Sequence, residues 1–312
     1  MTRAIDSKQF GNVALVIGGD SPERAVSLEG GAAVTAALER LAVKHIVVDG
    51  PGTLLNTIHK GGIDRVFNLM HGPCGEDGTL QGALELLQIP VTGSGVLGSA
   101  LTMDKVRSKW LWQRCGVPTP EFLVLGQDDE SVASQLERWG FPVFVKPVGQ
   151  GSSIGVSKVK QEAELPAAIQ LARNYNRQVI IEPAIEGDEY FAGMLADREL
   201  PLIRIETANE FFDYQAKYES DETRYFCPSG LDPDLERHLQ TVARQAFDIA
   251  GASGWGRVDF ILDQHGQPNI LEVNTTPGMT DHGLVPKAAA QLGIDFDQLV
   301  WQILETSLEK AA

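Results

Sequence analysis

Apolar positions along the chain fall into short runs and helical stripes, and their order predicts the elements. A β-branched run, Val13–Ile17, stops at Gly18-Gly19; an Ala-rich helical stretch continues to about residue 41, and residues 44–48 read as a second strand. Strand, helix, strand predicts a parallel βαβ opening. Residues 65–70 add another apolar strand, and the glycine-dense HGPCGEDGTLQG leads from it into a helix over 80–87. Residues 1–103 therefore read as one α/β domain with loops at strand C-termini, where open parallel sheets hold ligands.

The pattern changes after a helix over residues 105–115. FPVFVKP, a glycine loop and GVSKV read as two strands with no helix between them, an antiparallel arrangement. A helix over 164–173 and a strand over 178–182 complete a second domain, residues 104–186. The third, residues 187–312, has strands at 189–195 and 202–206, an aperiodic segment 209–230, a helix at 235–250, a hairpin at 256–274 and a final helix at 296–308. Within the aperiodic segment, EFFDYQAKYESDETRYF mixes aromatics with charges. That composition suits a lid presenting Lys217 and Tyr218, and equally a loop packed on its own aromatics.

Composition narrows the partners. The formal charge, 26 − 42 = −16, disfavours nucleic acid or an anionic membrane surface as a partner, so bound phosphates would rely on glycine loops and metal. No apolar run approaches the ~18 residues of a membrane helix, and the start MTRAIDSKQFGN lacks the apolar core of a secretory signal. Cys74, Cys115 and Cys227 are scattered without metal-type spacing. Together these predict a reduced, cytoplasmic setting.

The hairpin WGRVDFILDQHGQPNILEVNTTPGMT carries the most chemistry. A two-residue turn at His265-Gly266 places Asp259 opposite Glu272 and Arg257 opposite Asn274, all four on one face, with Val258, Phe260, Leu262, Leu271 and Val273 on the other. Two carboxylates facing each other across a ladder repel, and a cation between them relieves this. Their oxygen-only donors favour Mg²⁺, which commonly shares its ligands with substrate phosphates. A solvated hairpin face has the same pattern.

Three other segments stand out. Lys146-Pro-Val-Gly-Gln-Gly-Ser152-Ser153-Ile-Gly155 fits neither nucleotide-binding glycine fingerprint, yet its glycines, hydroxyls and lysine suit a phosphate. In GGDSPE, Pro22 suits a first helical turn and Glu23 is either an acid favouring a helix N-terminus or a group meeting an ammonium. His71 lies just past a strand, where a structural or a catalytic role is open.

Taken in order, GGDSPERAVS, HGPCGEDGTLQG, TMDKVRSK, VKPVGQGSSIG, FDYQAKY, GRVDFILD and LEVNTTPGMT resemble the D-alanine:D-alanine ligase family of the ATP-grasp superfamily, from about residue 13 to residue 300. The resemblance implies an α/β fold, α+β in its ATP-binding part: a parallel-sheet N-terminal domain and two domains clasping ATP. It implies ligation of two D-alanines through an acyl phosphate for peptidoglycan precursors, in the cytoplasm, by a homodimer. It further implies two Mg²⁺ ions, with Mn²⁺ as a substitute and K⁺ as a candidate activator.

For individual residues the resemblance implies the following. Lys105, Lys146, Ser152, Ser153 and Lys217 would contact ATP phosphates, and Glu182, Ile185, Glu189, Phe211 and Leu271 the adenosine. Asp259, Glu272 and Asn274 would hold the metals. Glu23, Val26, His71, Arg257, Gly278, Gly283 and Leu284 would bind the two amino acids. Glu23, Ser152 and Tyr218 would form a hydrogen-bonded triad, with Arg257 and the Gly278 N–H as oxyanion donors. Departures from the family pattern are Gly283 for a serine expected to bind the second D-alanine's carboxylate, and Pro183 for a frequent lysine. Alternatives left open are a D-lactate-using ligase, against which Tyr218 argues, and a nucleotide sensor without turnover.

Overall fold

The computed structural model describes residues 6–126, 129–207, 210–212, 222–280 and 283–308. It opens with β1 (Val13–Ile17), α1 (Arg24–Arg40), β2 (His45–Asp49), α2 (Gly50–His59), β3 (Arg65–Asn68), α3 (Thr79–Leu86) and α4 (Val96–Met103). These strands form a parallel sheet in the order β2-β1-β3. With β1 central, the chain leaves it toward β2 and returns to β3 on the other side. The crevice beyond the carboxyl ends of β1 and β3 is thus a topological switch point, the ligand position of open parallel sheets.

Next come α5 (Lys105–Cys115), β4 (Leu123–Val124), α6 (Asp129–Trp139), β5 (Val143–Pro147), β6 (Ser157–Val159), α7 (Leu165–Arg173) and β7 (Val179–Pro183), giving an antiparallel sheet in the order β4-β7-β5-β6. The Asp104 carboxylate caps α5 by accepting the Arg107 N–H, and Gly116 ends the helix at φ +77°. The chain continues with β8 (Gly187–Leu195), β9 (Arg198–Glu199), β10 (Ile203–Glu206), β11 (Arg224–Phe226), α8 (Pro233–Ile249), β12 (Trp255–Asp263), β13 (Pro268–Asn274), α9 (Leu284–Gln291) and α10 (Phe296–Glu305). Their sheet runs β11-β10-β8-β12-β13, with β9 paired to β8.

The apolar core does not divide with the sheets. One buried cluster joins Phe10, Val13, Leu15 and Phe67 of the parallel-sheet region to Phe191 of β8, Trp255 of β12, and Leu299 and Ile303 of α10. Separate clusters fill the space under α8 and the four-stranded sheet.

Several sequence expectations need correction. The hairpin turn is three residues, 264–266, since the Asp263 N–H donates to the Gln267 carbonyl at 3.0 Å and Gly266 takes φ +76°. That would slide the register by one, but a bulge between Asp259 and Phe260 restores it: Arg257 pairs with Asn274 and Asp259 with Glu272, while Phe260 pairs with Ile270. Leu271 is the extra residue. It leaves the apolar face, which Ile270 takes instead, and turns into the cleft. Pro22 precedes α1 instead of opening it. The segment 209–230, expected without regular structure, contains β11. Helices α2, α4, α6 and α9 were not read from the sequence.

Candidate active site

The site lies where the three sheets meet. From the parallel sheet, the turn after β1 delivers Glu23 and the turn after β3 delivers His71. Glu23 is 6% exposed and occupies the N-cap position of α1, yet makes no capping bond. Its Oε1 instead accepts the hydroxyl of Ser152. The acid thus points out of the helix toward the glycine loop. A Cβ on Gly151 would fall 3.2 Å from Glu23 Oε2, so glycine permits this approach. Ser152 and Ser153 hold φ of +50° and +58°, a strain of about 1–3 kcal/mol each that the loop's shape imposes. Ser153 Oγ donates to the Phe212 carbonyl at 3.1 Å.

His71 is buried, and that burial pushes its pKa below the ordinary histidine value, so the ring is neutral near pH 7. It hydrogen-bonds the Thr276 backbone. Glu76, which the sequence reading did not single out, accepts the Gly72 N–H at 2.7 Å and the Thr276 N–H at 3.1 Å. Burial and the nearby Glu23 push its carboxyl up to about 8. The loop after β3 therefore grips the segment that follows the hairpin. Gly278 lies there, with Val26 of α1 3.7 Å from where its Cβ would be.

Gly283 sits in tightly packed backbone. A Cβ there would lie 2.5 Å from the Gly278 carbonyl oxygen and 2.9 Å from that of Thr280, so the backbone has closed into the space a side chain needs. Leu284, the first residue of α9, is buried beside it. Lys217 and Tyr218 lie outside the described residues.

The second part of the site is an open cleft between the two antiparallel sheets. Phe144, Ile185, Phe211, Ile261 and Leu271 give it apolar walls, and Lys105, Lys146, Ser153, Glu182, Glu189, Asp259 and Glu272 give it charge and hydroxyl groups. Phe211 packs edge-on to Phe144 at 5.3 Å. Lys105 Nζ donates to the Gln150 carbonyl at 2.6 Å and pairs with Glu272 at 3.0 Å, tying the glycine loop to the hairpin. Lys146 pairs with Glu182 at 2.6 Å. Glu182 does not reach into the cleft as a lone acceptor, because Lys109 takes its other oxygen at 2.7 Å.

On the hairpin, Arg257 Nε and Nη2 each donate to Asp259 at 2.7 Å, and Asn274 Nδ2 donates to the same carboxylate at 3.1 Å. Among the described residues no three acidic, histidine or cysteine side chains converge on one point. A cation here would draw on Asp259, Glu272, the Asn274 amide turned to present its oxygen, and phosphate oxygens. This hard, partly borrowed donor set fits Mg²⁺.

A cleft between two antiparallel sheets, floored by a carboxylate-bearing hairpin and bounded by a glycine loop, defines the ATP-grasp class. The family described as D-ala D-ala ligase C-terminus matches residues 111–305 and its N-terminal counterpart residues 53–94. A D-alanine–D-alanine ligase of Methylococcus capsulatus is 49% identical over 305 residues, covering 98% of each chain. D-alanine–D-alanine ligase B of Chromobacterium violaceum is 49% identical over 96% of this chain and 98% of its own. Among solved structures, a Bacillus anthracis D-alanine–D-alanine ligase complexed with ATP superposes with TM-score 0.84 at 31% identity, covering 96% and 98% of the two chains. The VanG D-Ala:D-Ser ligase of Enterococcus faecalis gives 0.82 at 31%, covering 95% and 99%. The chain belongs to the D-alanine–D-alanine ligase family.

Proposed function

We propose that this protein joins two D-alanine molecules, at the expense of ATP, into the dipeptide used for peptidoglycan precursors. The observation that carries this reading is the meeting of two subsites. An open cleft lined by Lys105, Lys146 and the Asp259–Glu272 pair adjoins a crevice where His71 lies within electrostatic reach of Glu23 and Arg257. Family membership over nearly the whole chain supports it.

In this reading the cleft takes ATP with the adenosine against Ile185, Glu189, Phe211 and Leu271, and the phosphates toward Lys105, Lys146 and the loop at Ser152-Ser153. Two Mg²⁺ ions, held by Asp259, Glu272 and Asn274 when bound, supply charge neutralisation at the transferring phosphoryl. Glu23 meets the ammonium of the first D-alanine and Ser152 orients Glu23. The first D-alanine's carboxylate oxygen attacks the γ-phosphorus and ADP leaves, giving an acyl phosphate. The amine of the second D-alanine then attacks the acyl carbon, the oxyanion meets Arg257 and the Gly278 N–H, and phosphate departs. Exclusion of water keeps the acyl phosphate from hydrolysis, a task for the segment holding Lys217 and Tyr218. The same reading divides the chain after residues 103 and 186 and expects a cytoplasmic homodimer.

The test is ADP formation with Mg-ATP and D-alanine against L-alanine, with Mn²⁺ and K⁺ as added variables. D-specific turnover supports the ligase. ATP binding without D-alanine-dependent turnover contradicts it, and products formed preferentially from D-serine or D-lactate would redirect the second-substrate assignment.

A further inference from the structure

Lys109 is 1% exposed, on the face of α5 that also carries Val106 and Trp112, and it does not line the nucleotide cleft. A lysine so deep is costly unless paired. Its ammonium meets Glu182 Oε1 at 2.7 Å, donates to Thr119 Oγ1 at 2.8 Å and lies 5.6 Å from the Phe122 ring centroid. Thr119 Oγ1 in turn donates to the carbonyl of Ile270, the residue before the bulged Leu271. On its other oxygen Glu182 meets Lys146, which does line the cleft. Three charges therefore stand in a row, positive, negative, positive, and of the three Lys109 alone is withdrawn from the lining of the nucleotide site.

The arithmetic of the row is what matters. A Lys146–Glu182 pair alone sums to zero and would present little field to an anionic phosphate. With Lys109 behind Glu182 the row sums to +1, in surroundings where charges are poorly screened. Resting on the ATP reading above, we infer that Lys109 is a positioning residue. It neutralises Glu182 from behind and so leaves Lys146 free in charge for the phosphates, while Thr119 couples it to the wall that carries Leu271. It touches neither substrate nor reacting atoms.

The experiment compares equilibrium binding of a non-hydrolysable ATP analogue, AMP-PNP with Mg²⁺, against adenosine. The proteins are the full chain, Lys109→Met, and Lys109→Met with Glu182→Gln, each checked first by thermal melting. Lys109→Met is expected to weaken AMP-PNP about tenfold while adenosine changes less than about twofold. The double variant, whose Met and Gln carry no charge, is expected to recover most of the AMP-PNP affinity relative to adenosine because Lys146 again stands uncompensated, adenosine reporting any loss that comes from Glu182's own place in the cleft wall. Equal losses for AMP-PNP and adenosine, or a double variant no better than the single, overturn the inference and leave Lys109 a purely structural lysine. Should Lys109→Met not fold, Lys109→Gln, which keeps a donor beside Glu182 and Thr119 but no charge, takes its place: a fall of about tenfold in the AMP-PNP to adenosine affinity ratio supports the inference, and an unchanged ratio overturns it. Failure of the unaltered protein to bind either ligand would instead overturn the ATP reading beneath it.

Discussion

Gly283 shows how a single residue departs from an expectation and why. The resemblance makes it the loss of a serine hydroxyl, and a Cβ built there would lie 2.5 Å from the Gly278 carbonyl oxygen, so any side chain needs the backbone to shift. Restoring the serine is therefore expected to push Gly278 away from its neighbours. Gly283→Ser should lower kcat with D-alanine instead of improving the second-site KM, which steady-state kinetics will read. Arg257 carries the opposite prediction: if it is the oxyanion donor proposed above, Arg257→Met should cost roughly 10²–10³ in kcat, with ATP affinity measured alongside to separate binding from chemistry. Glu182 governs acid stability. Burial would raise its pKa, but Lys109 and Lys146 outweigh that and hold it at about 2, against an ordinary 4.5. A lowered carboxylate contributes stability that is complete above the unfolded value and is lost as pH falls through the folded one. Melting temperatures of the unaltered protein and Glu182→Gln should therefore differ most above about pH 5 and converge as the pH approaches 2. A constant gap across that range would contradict the pairing.

At the scale of elements, the hairpin of β12 and β13 shows what alternation makes legible and what it hides. Period two correctly put Arg257, Asp259, Glu272 and Asn274 on one face, because that face is set by side-chain direction alone. The three-residue turn and the bulge could not be read, since each shifts the ladder by one and the shifts cancel at the site. Leu271 was consequently assigned to the wrong face by spacing, although the family resemblance put it in the nucleotide pocket. Deleting Leu271 should close the bulge while leaving Asp259 opposite Glu272 and Arg257 opposite Asn274, so it should raise the KM for ATP without abolishing turnover, and Leu271→Ala should raise that KM only several-fold; kinetics on both variants checks this. Lys109 was legible in principle. Val106, Lys109 and Trp112 share a helical stripe, and a lysine in a buried stripe calls for a buried acid. Glu76 was not, because its partners are the backbone N–H groups of Gly72 and Thr276, 200 residues apart in the latter case. Short helices such as α4 escaped because Gly95 and the small residues after it give weak start signals.

Across the whole molecule, three sheets were legible from the change of pattern near residue 104, but the sharing of one core between the ends of the chain was not. Ile303 on α10 is fully buried in the cluster that also holds Val13 and Leu15 of β1. The salt bridge of Arg40 with Asp297 at 2.6 Å adds a surface tie between α1 and α10. The parallel sheet that supplies Glu23 and His71 should therefore lose stability when the last helix is weakened. Ile303→Ala is expected to cost about 2–5 kcal/mol, and hydrogen exchange should show amides of β1 and β12 losing protection together. Protection lost in β12 alone would mean the two ends are energetically separate.

The central claim is that the first D-alanine is activated at its own carboxylate, in a crevice that adjoins the nucleotide cleft. The most direct measurement supplies D-alanine labelled with ¹⁸O in the carboxylate, with Mg-ATP, and determines the isotope content of the inorganic phosphate by mass spectrometry. An acyl phosphate requires one labelled oxygen to leave with the phosphate when the second amine attacks, so singly labelled phosphate should appear in step with the dipeptide. Unlabelled phosphate, released at the same rate, would mean that water attacks ATP in this site and that the carboxylate is never phosphorylated.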